Sequence, residues 1–211
     1  MQRLVILGDS IAVGQHVSPH LTWVAQMSAL MAKLHKEKNI LVVNASRNGD
    51  TTRLALERMP GEVQAYGLDI LFVQFGINDC NHWETDSGCP RVSPEAFEAN
   101  LREIIARGRF FGAKTVLINT NHPTLKKIDF MEKLHQENNA AYNEICRNVA
   151  IKDNSIILID TEALFLKTLS ADFLLTDLLL PDGIHLSESG HDLYLKSVWP
   201  ALSDSVTNIV K

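Results

Sequence analysis

Cysteine is scarce in this chain: Cys80, Cys89 and Cys146 are the only three among 211 residues. Their odd number and their spacing fit no zinc pattern. Cys80 and Cys89 flank a loop and could pair in an exported protein. The first apolar run begins at Leu4, which leaves no room for an export signal, so free thiols and a cytoplasmic location are expected. Positive charge is also short. Lys and Arg number 20 against 25 Asp and Glu, the net charge is −5, and there is no basic run. A nucleic-acid partner is therefore not expected. No apolar run approaches the ~18 residues of a membrane span. A Gly-x-Gly-x-x-Gly run and a phosphate-loop lysine are both missing, which removes the usual signatures of nucleotide binding. There is no repeat, low-complexity tract or Gly/Ser-rich linker. The length then fits one domain, residues 1–211, and nothing in the sequence speaks to oligomeric state.

What the chain does have is apolar material, 45% of its residues, in short and nearly continuous runs. Leu4–Leu7, Ile40–Val43, Ile70–Gln74, Thr115–Ile118 and Ile156–Ile159 read as five strands buried on both faces, as in a parallel sheet covered by helices. Helical spacing fills the gaps. Ser18 and Pro19 mark a start, followed by the stripe Val24, Met27, Met31 and Leu34. Ser93 and Pro94 mark another, with Phe97, Leu101, Ile104 and Ile105, and Gly112 helps to end that connection. Leu134, Asn138, Ala141, Ile145 and Val149 form a third stripe. A helix after Ser187 is expected to break near Pro200, with a last amphipathic stretch to Val210. Strands alternating with helices predict a three-layer α/β/α sandwich with right-handed crossovers. Two long irregular segments remain, Cys80–Val92 and Ser170–Ser187, and long loops in a compact domain are usually functional.

In an open α/β sheet, ligands bind beyond the carboxyl ends of the strands. Gly8-Asp9-Ser10 follows the first strand and Asn44 to Asp50 the second. Gly76-Ile77-Asn78-Asp79 follows the third, and Asn119-Thr120-Asn121-His122-Pro123 the fourth. Acyl transfer needs a nucleophile, a base and donors aimed at an oxyanion. Ser10 suits the first role, unless it merely caps the turn. His185 suits the second, with Asp182 to fix its tautomer. The backbone N–H groups of Gly49 and Ser10 and the side-chain amide of Asn78 suit the third. Asp9 reads as structural, tying the Ser10 turn through nearby N–H groups. Asp79 reads as a carboxylate that fixes the Asn78 loop.

Gly8-Asp9-Ser10, Gly49, Gly76-x-Asn78-Asp79 and Asp182-x-x-His185 occur in the order found in the SGNH hydrolases, also called the GDSL family of esterases and lipases, which this chain resembles. The resemblance spans residues 8 to 185. It implies a flavodoxin-like parallel sheet of order 2-1-3-4-5, the catalytic triad Ser10, Asp182 and His185, and an oxyanion hole from Ser10, Gly49 and Asn78. Ile11 stands where Leu often follows the serine, and Leu186 where many members have Pro; neither change removes a catalytic group.

The expected activity is hydrolysis of a carboxylic ester through an acyl-enzyme, with a small-molecule substrate, no cofactor and no metal. Asp182 and His191 near His185 form no zinc motif, and His191 reads as a helix residue with a satisfied ring. A short acyl group, acetyl on a sugar-like scaffold, is favoured by the polar loop that bears Trp83. Trp83 either stacks on substrate or anchors its loop. His122 either contacts substrate or sits in a surface turn. The clusters Phe173-Leu174-Leu175 and Leu178-Leu179-Leu180 either line an acyl pocket or pin the triad loop. If they line a pocket, a lipase-like esterase or thioesterase acting on longer chains becomes the alternative. A non-catalytic flavodoxin-like binding module would leave Asp182 and His185 without a purpose.

Overall fold

The computed structural model describes residues 1–170 and 173–209. Its centre is a five-stranded parallel sheet formed by β1 (Gln2–Gly8), β2 (Ile40–Asn44), β3 (Ile70–Gln74), β4 (Thr115–Asn119) and β7 (Ile156–Ile159). The spatial order is β2-β1-β3-β4-β7. This is the expected order. The fifth strand of the sheet is the seventh of the chain because a small antiparallel hairpin, β5 (Lys127–Ile128) and β6 (Lys133–Leu134), precedes it. The register pairs Leu4 with Val42 on one side of β1 and Ile6 with Phe72 on the other.

Alternate residues of each strand feed two cores, as the two-residue period of a strand requires. Leu4, Ile6, Ile70, Phe72 and Leu117 pack under α1 (Ser10–Val13), α2 (Trp23–Leu34), α6 (Thr161–Thr168), α7 (Leu175–Leu178) and α8 (Glu188–Asn208). Val5, Leu7, Leu71, Val73, Val116 and Ile118 pack under α3 (Thr52–Glu62), α4 (Pro94–Phe110) and α5 (His135–Ile151). The central strand β3 is buried throughout, but the edge strands are not: Leu41 on β2 and Ile157 on β7 are exposed. Burial on both faces therefore holds for the inner strands only.

Three helix readings are corrected. Ser18 and Pro19 open a 3₁₀ turn, Pro19–Leu21, and α2 starts later, where the Thr22 hydroxyl accepts from the Ala25 amide. Leu34, at the end of the stripe, is exposed. The buried face of α5 is rotated by about one residue from the expected stripe: it comprises His135, Asn139, Tyr142, Asn143, Cys146, Val149 and Ala150, of which only Val149 was in that stripe, while Leu134 lies before the helix and is exposed. α8 runs unbroken through Pro200, because Val198 and Leu202 on either side are buried in one core. The described residues end at Ile209, one past the end of α8, so Val210 lies outside them, as do residues 171 and 172 of the second long segment. That segment otherwise contains α7, and the Cys80–Val92 segment contains a 3₁₀ turn, Glu84–Asp86. The three cysteines are free thiols, Cys80 and Cys146 buried and Cys89 exposed.

Candidate active site

Ser10 is the first residue of α1, separated from the last residue of β1 by Asp9 alone. The Asp9 carboxylate caps this short helix by accepting the Ile11 N–H at 3.0 Å, and the Asn44 side chain at the end of β2 donates to the Ala12 carbonyl at 2.8 Å. Strand pairing continues past β2, with the Arg47 amide donating to the Gly8 carbonyl. That contact ties the loop carrying Gly49 to the end of β1.

The opposite side is supplied by a turn before α8. His185 Nε2 lies 2.9 Å from Ser10 Oγ across 175 positions of sequence. His185 Nδ1 lies 2.6 Å from Asp182 Oδ2, and Asp182 Oδ1 accepts the amides of Ile184 and His185, each at 2.9 Å. An ionised carboxylate only accepts. Nδ1 therefore carries the ring proton, and Nε2 presents a lone pair to the serine hydroxyl. Burial works to raise the Asp182 pKa, but the ring and amide hydrogen bonds outweigh it and hold the carboxyl below its ordinary value. The turn is tied down from several directions. Leu180 donates to the His185 carbonyl at 2.7 Å, Ser187 to the Leu178 carbonyl, and Leu178 and Leu179 are buried. These two leucines pin the turn. Leu179 and Leu180 also border a groove of about 470 Å³ whose other wall is Leu125 to Lys127.

Gly49 and Asn78 stand on the loops that follow β2 and β3, the strands that flank β1 in the sheet. Gly49 has φ +76°, a left-handed conformation that costs glycine little, and its carbonyl accepts from Arg91 at 3.0 Å. Asn78 Nδ2 is buried and has no protein partner. Its neighbour Asp79 accepts from both the amide and the hydroxyl of Thr52, at 2.9 and 2.6 Å. Thr52 begins α3, three residues after Gly49, so this buried carboxylate ties the loop after β3 to the start of α3. Burial pushes the Asp79 carboxyl up to about 6 despite the Thr52 bonds, and pushes Asp9 up to about 7 despite the Ile11 amide.

The junction after β4 points inward. Asn119, Thr120, Asn121 and His122 are all buried. Asn121 accepts from Gln74 at 2.8 Å, donates to the Phe75 carbonyl, and exchanges two hydrogen bonds with Asn143 of α5. This explains the polar face of α5. His122 is neither a substrate contact nor part of a surface turn: it is fully buried, and its Nε2 donates to the Ile184 carbonyl at 2.8 Å. Burial pushes the ring down to about 4, so it stays neutral and keeps that donor role. His122 thus holds the Asp182–His185 turn from below. The hydrogen-bonding residues Gln74, Asn121, Asn139 and Asn143 were not anticipated, since polarity alone does not separate a buried bridge from a solvated side chain. His191 accepts the Trp23 amide at 3.3 Å, the satisfied ring expected of it.

Trp83 is half-exposed, and the Arg91 guanidinium lies over its ring at 4.4 Å. Because Arg91 also donates to the Gly49 carbonyl, this aromatic face stands next to the Gly49 loop. Together with Thr51, Arg53, Leu54 and Asp86, these two residues line a shallow hollow of about 190 Å³. One further residue reaches the centre: the His16 ring meets the His185 ring edge-on, with centroids 5.5 Å apart. No sequence signal marked it.

The family model for the GDSL-like lipase/acylhydrolase family matches residues 6–193. The chain is 24% identical over 201 residues to Esterase TesA of Pseudomonas aeruginosa, covering 95% of this chain and 88% of that protein. It is 25% identical over 204 residues to an acetylxylan esterase of Geobacillus stearothermophilus, covering 90% and 89%. Among solved structures, the lipase/acylhydrolase from Enterococcus faecalis superposes with a TM-score of 0.76 at 24% identity, covering 97% of this chain and 96% of that one.

Proposed function

The chain belongs to the GDSL-like lipase/acylhydrolase family and is an ester-hydrolysing enzyme, and on that premise we propose that Ser10 is its nucleophile, His185 its general base and Asp182 the carboxylate that orients the base. The observation that carries this reading is the unbroken line of hydrogen bonds from Asp182 through His185 to Ser10. Ser10 Oγ attacks the ester carbonyl as His185 Nε2 takes its proton. The Ser10 and Gly49 amides and the Asn78 side chain receive the developing oxyanion; the unpartnered Nδ2 of Asn78 supports its place there. His185 returns the proton to the leaving alkoxide, which departs as the alcohol. A water, deprotonated by His185, then releases the acid and restores Ser10. No step draws on a cofactor. The binding-module alternative gives this alignment nothing to do.

For the substrate we favour a short acyl group, acetyl, on a sugar-like alcohol. The Trp83–Arg91 hollow beside Gly49 supports a polar ring there. The groove at Leu179 and Leu180 supports the alternative of a longer acyl chain. We also place the whole chain, 1–211, in a single domain. The free thiols support a cytoplasmic location, and the net charge of −5 argues against a nucleic-acid partner. No helix among the described residues is long and apolar enough to cross a membrane.

The test is a panel of chromogenic esters from two to twelve acyl carbons, run on the native enzyme and on Ser10→Ala. Loss of roughly 10⁶ in kcat is expected for the variant, as in triads whose members act as a unit. Undiminished turnover by folded Ser10→Ala would remove the mechanism. A rate maximum at eight carbons or more would replace acetyl by the longer-chain reading.

A further inference from the structure

We propose that His16, Asp182 and His185 form a binding site for a zinc-like divalent cation, and that its occupation switches the esterase off. One ligand atom from each residue lies within 4.8 Å of the other two. A tetrahedral zinc with bonds of about 2.0–2.1 Å needs its ligand atoms about 3.3 Å apart. The three side chains therefore have to close by about an ångström and a half at most. Asp182 and His16 are exposed and His185 is partly so. Movement of that size falls to the exposed His16 side chain, since Asp182 and His185 are already joined at 2.6 Å, and the approach from solvent is open.

The donor set decides which metal. Two imidazoles and one carboxylate suit zinc and its transition-metal neighbours, whereas calcium and magnesium prefer oxygen ligands throughout. Three protein ligands also leave a fourth position for water. The placement of His16 is specific. Its backbone sits at φ +69°, a region that few non-glycine residues occupy, and this conformation sets the ring edge-on to His185 with an interplanar angle of 89°. Gln15 Nε2 donates to His16 Nε2 at 2.9 Å; the bond is exposed, and a cation taking that nitrogen displaces the amide.

Inhibition follows from the proton positions. If the metal takes His185 Nε2, Ser10 loses the lone pair that would accept its proton. If the metal takes Nδ1, the ring proton moves to Nε2, which again has no lone pair for Ser10. No electron is transferred in either case, and the change reverses when the metal leaves. The loss of turnover rests on the catalytic reading above; the binding of metal does not.

The experiment titrates zinc chloride into the full chain, read by competition with a chromophoric chelator and, in parallel, by ester hydrolysis. The native protein should bind one zinc and lose activity with the same midpoint, and EDTA should restore it. His16→Asn keeps a residue that accepts the left-handed backbone. Its zinc affinity should weaken at least about tenfold, and so should its inhibition midpoint measured against its own metal-free rate. Ser10→Ala should bind zinc as the native protein does, whatever its activity. Equal zinc affinity in native and His16→Asn protein would overturn the site. So would no binding by the native protein at about 1 mM zinc. If binding behaves as expected but native turnover is unaffected, the site stands as a binding site, its role as a switch falls, and the assignment of His185 as base falls with it.

Discussion

Asn78 and Asp79 are adjacent in the chain and do opposite things. Asn78 leaves its side-chain amide without a protein partner, whereas Asp79 spends one carboxylate oxygen on Thr52. A donor that bonds only when an oxyanion forms contributes to rate and little to folding. Asn78→Ala should therefore lower kcat by about 10²–10³ with KM and melting temperature nearly unchanged. Steady-state kinetics beside a thermal melt check this, and a large drop in melting temperature would assign Asn78 to the scaffold. At this scale the sequence was readable wherever a residue's chemistry had no use in packing. Ser10, Gly49, Asn78, Asp182 and His185 all stand at strand ends or turns, where polar residues and glycine have no packing role to explain them, and the structure brings Ser10, Asp182 and His185 together. His122 was misread because its partner, the Ile184 carbonyl, is 62 positions away. A polar residue beside Pro123 gives no sign of whether it faces solvent or a distant carbonyl.

The sheet strands were legible as elements because each is a short apolar run between turns. Helix starts and faces were less so. The hydroxyl that begins α2 belongs to Thr22, four residues after the more obvious Ser18-Pro19 pair. The face of α5 that turns inward carries Asn139 and Asn143, which donate to the His122 and Asn121 carbonyls. A hydrophobic stripe cannot report a helix that is docked through amides. α8 shows how tightly elements fit around the site. A methyl group on Gly190 would sit 2.0 Å from the Leu178 carbonyl oxygen, so the helix lies directly on α7 and the triad turn. Gly190→Ala should force α8 away. We expect a loss of about 1–3 kcal/mol in stability from overpacking and a fall in kcat from displacement of His185. Denaturant unfolding and ester turnover on the same preparation test this, and native values for both would show that the contact yields freely.

The whole molecule has a pH profile set by groups buried far from solvent. Burial pushes His122, His135 and His191 down to about 4 from an ordinary 6.5. Between those pH values the unfolded chain holds more protons than the folded one, so stability falls as pH falls through that window. Asp9 and Asp79, raised by burial from 3.8 to about 7 and about 6, act in the reverse sense. Their folded forms hold the extra protons, and stability falls as pH rises from about 4 to about 7. Three groups against two leave a net loss on the acid side, and above 6.5 only the Asp9 loss continues. Guanidinium unfolding midpoints at pH 4.5, 6.5 and 8 should therefore peak at 6.5. A midpoint that rises steadily toward pH 4.5 would mean that the histidines do not govern the balance. The turn that carries Asp182 and His185 has a consequence of its own. The carboxylate grips the amides of its own loop, so base and orienting group travel as one rigid piece. Misalignment of this machinery then reduces to a single length, the gap between imidazole and hydroxyl, and a perturbation anywhere in the chain reaches the chemistry by widening or closing that gap.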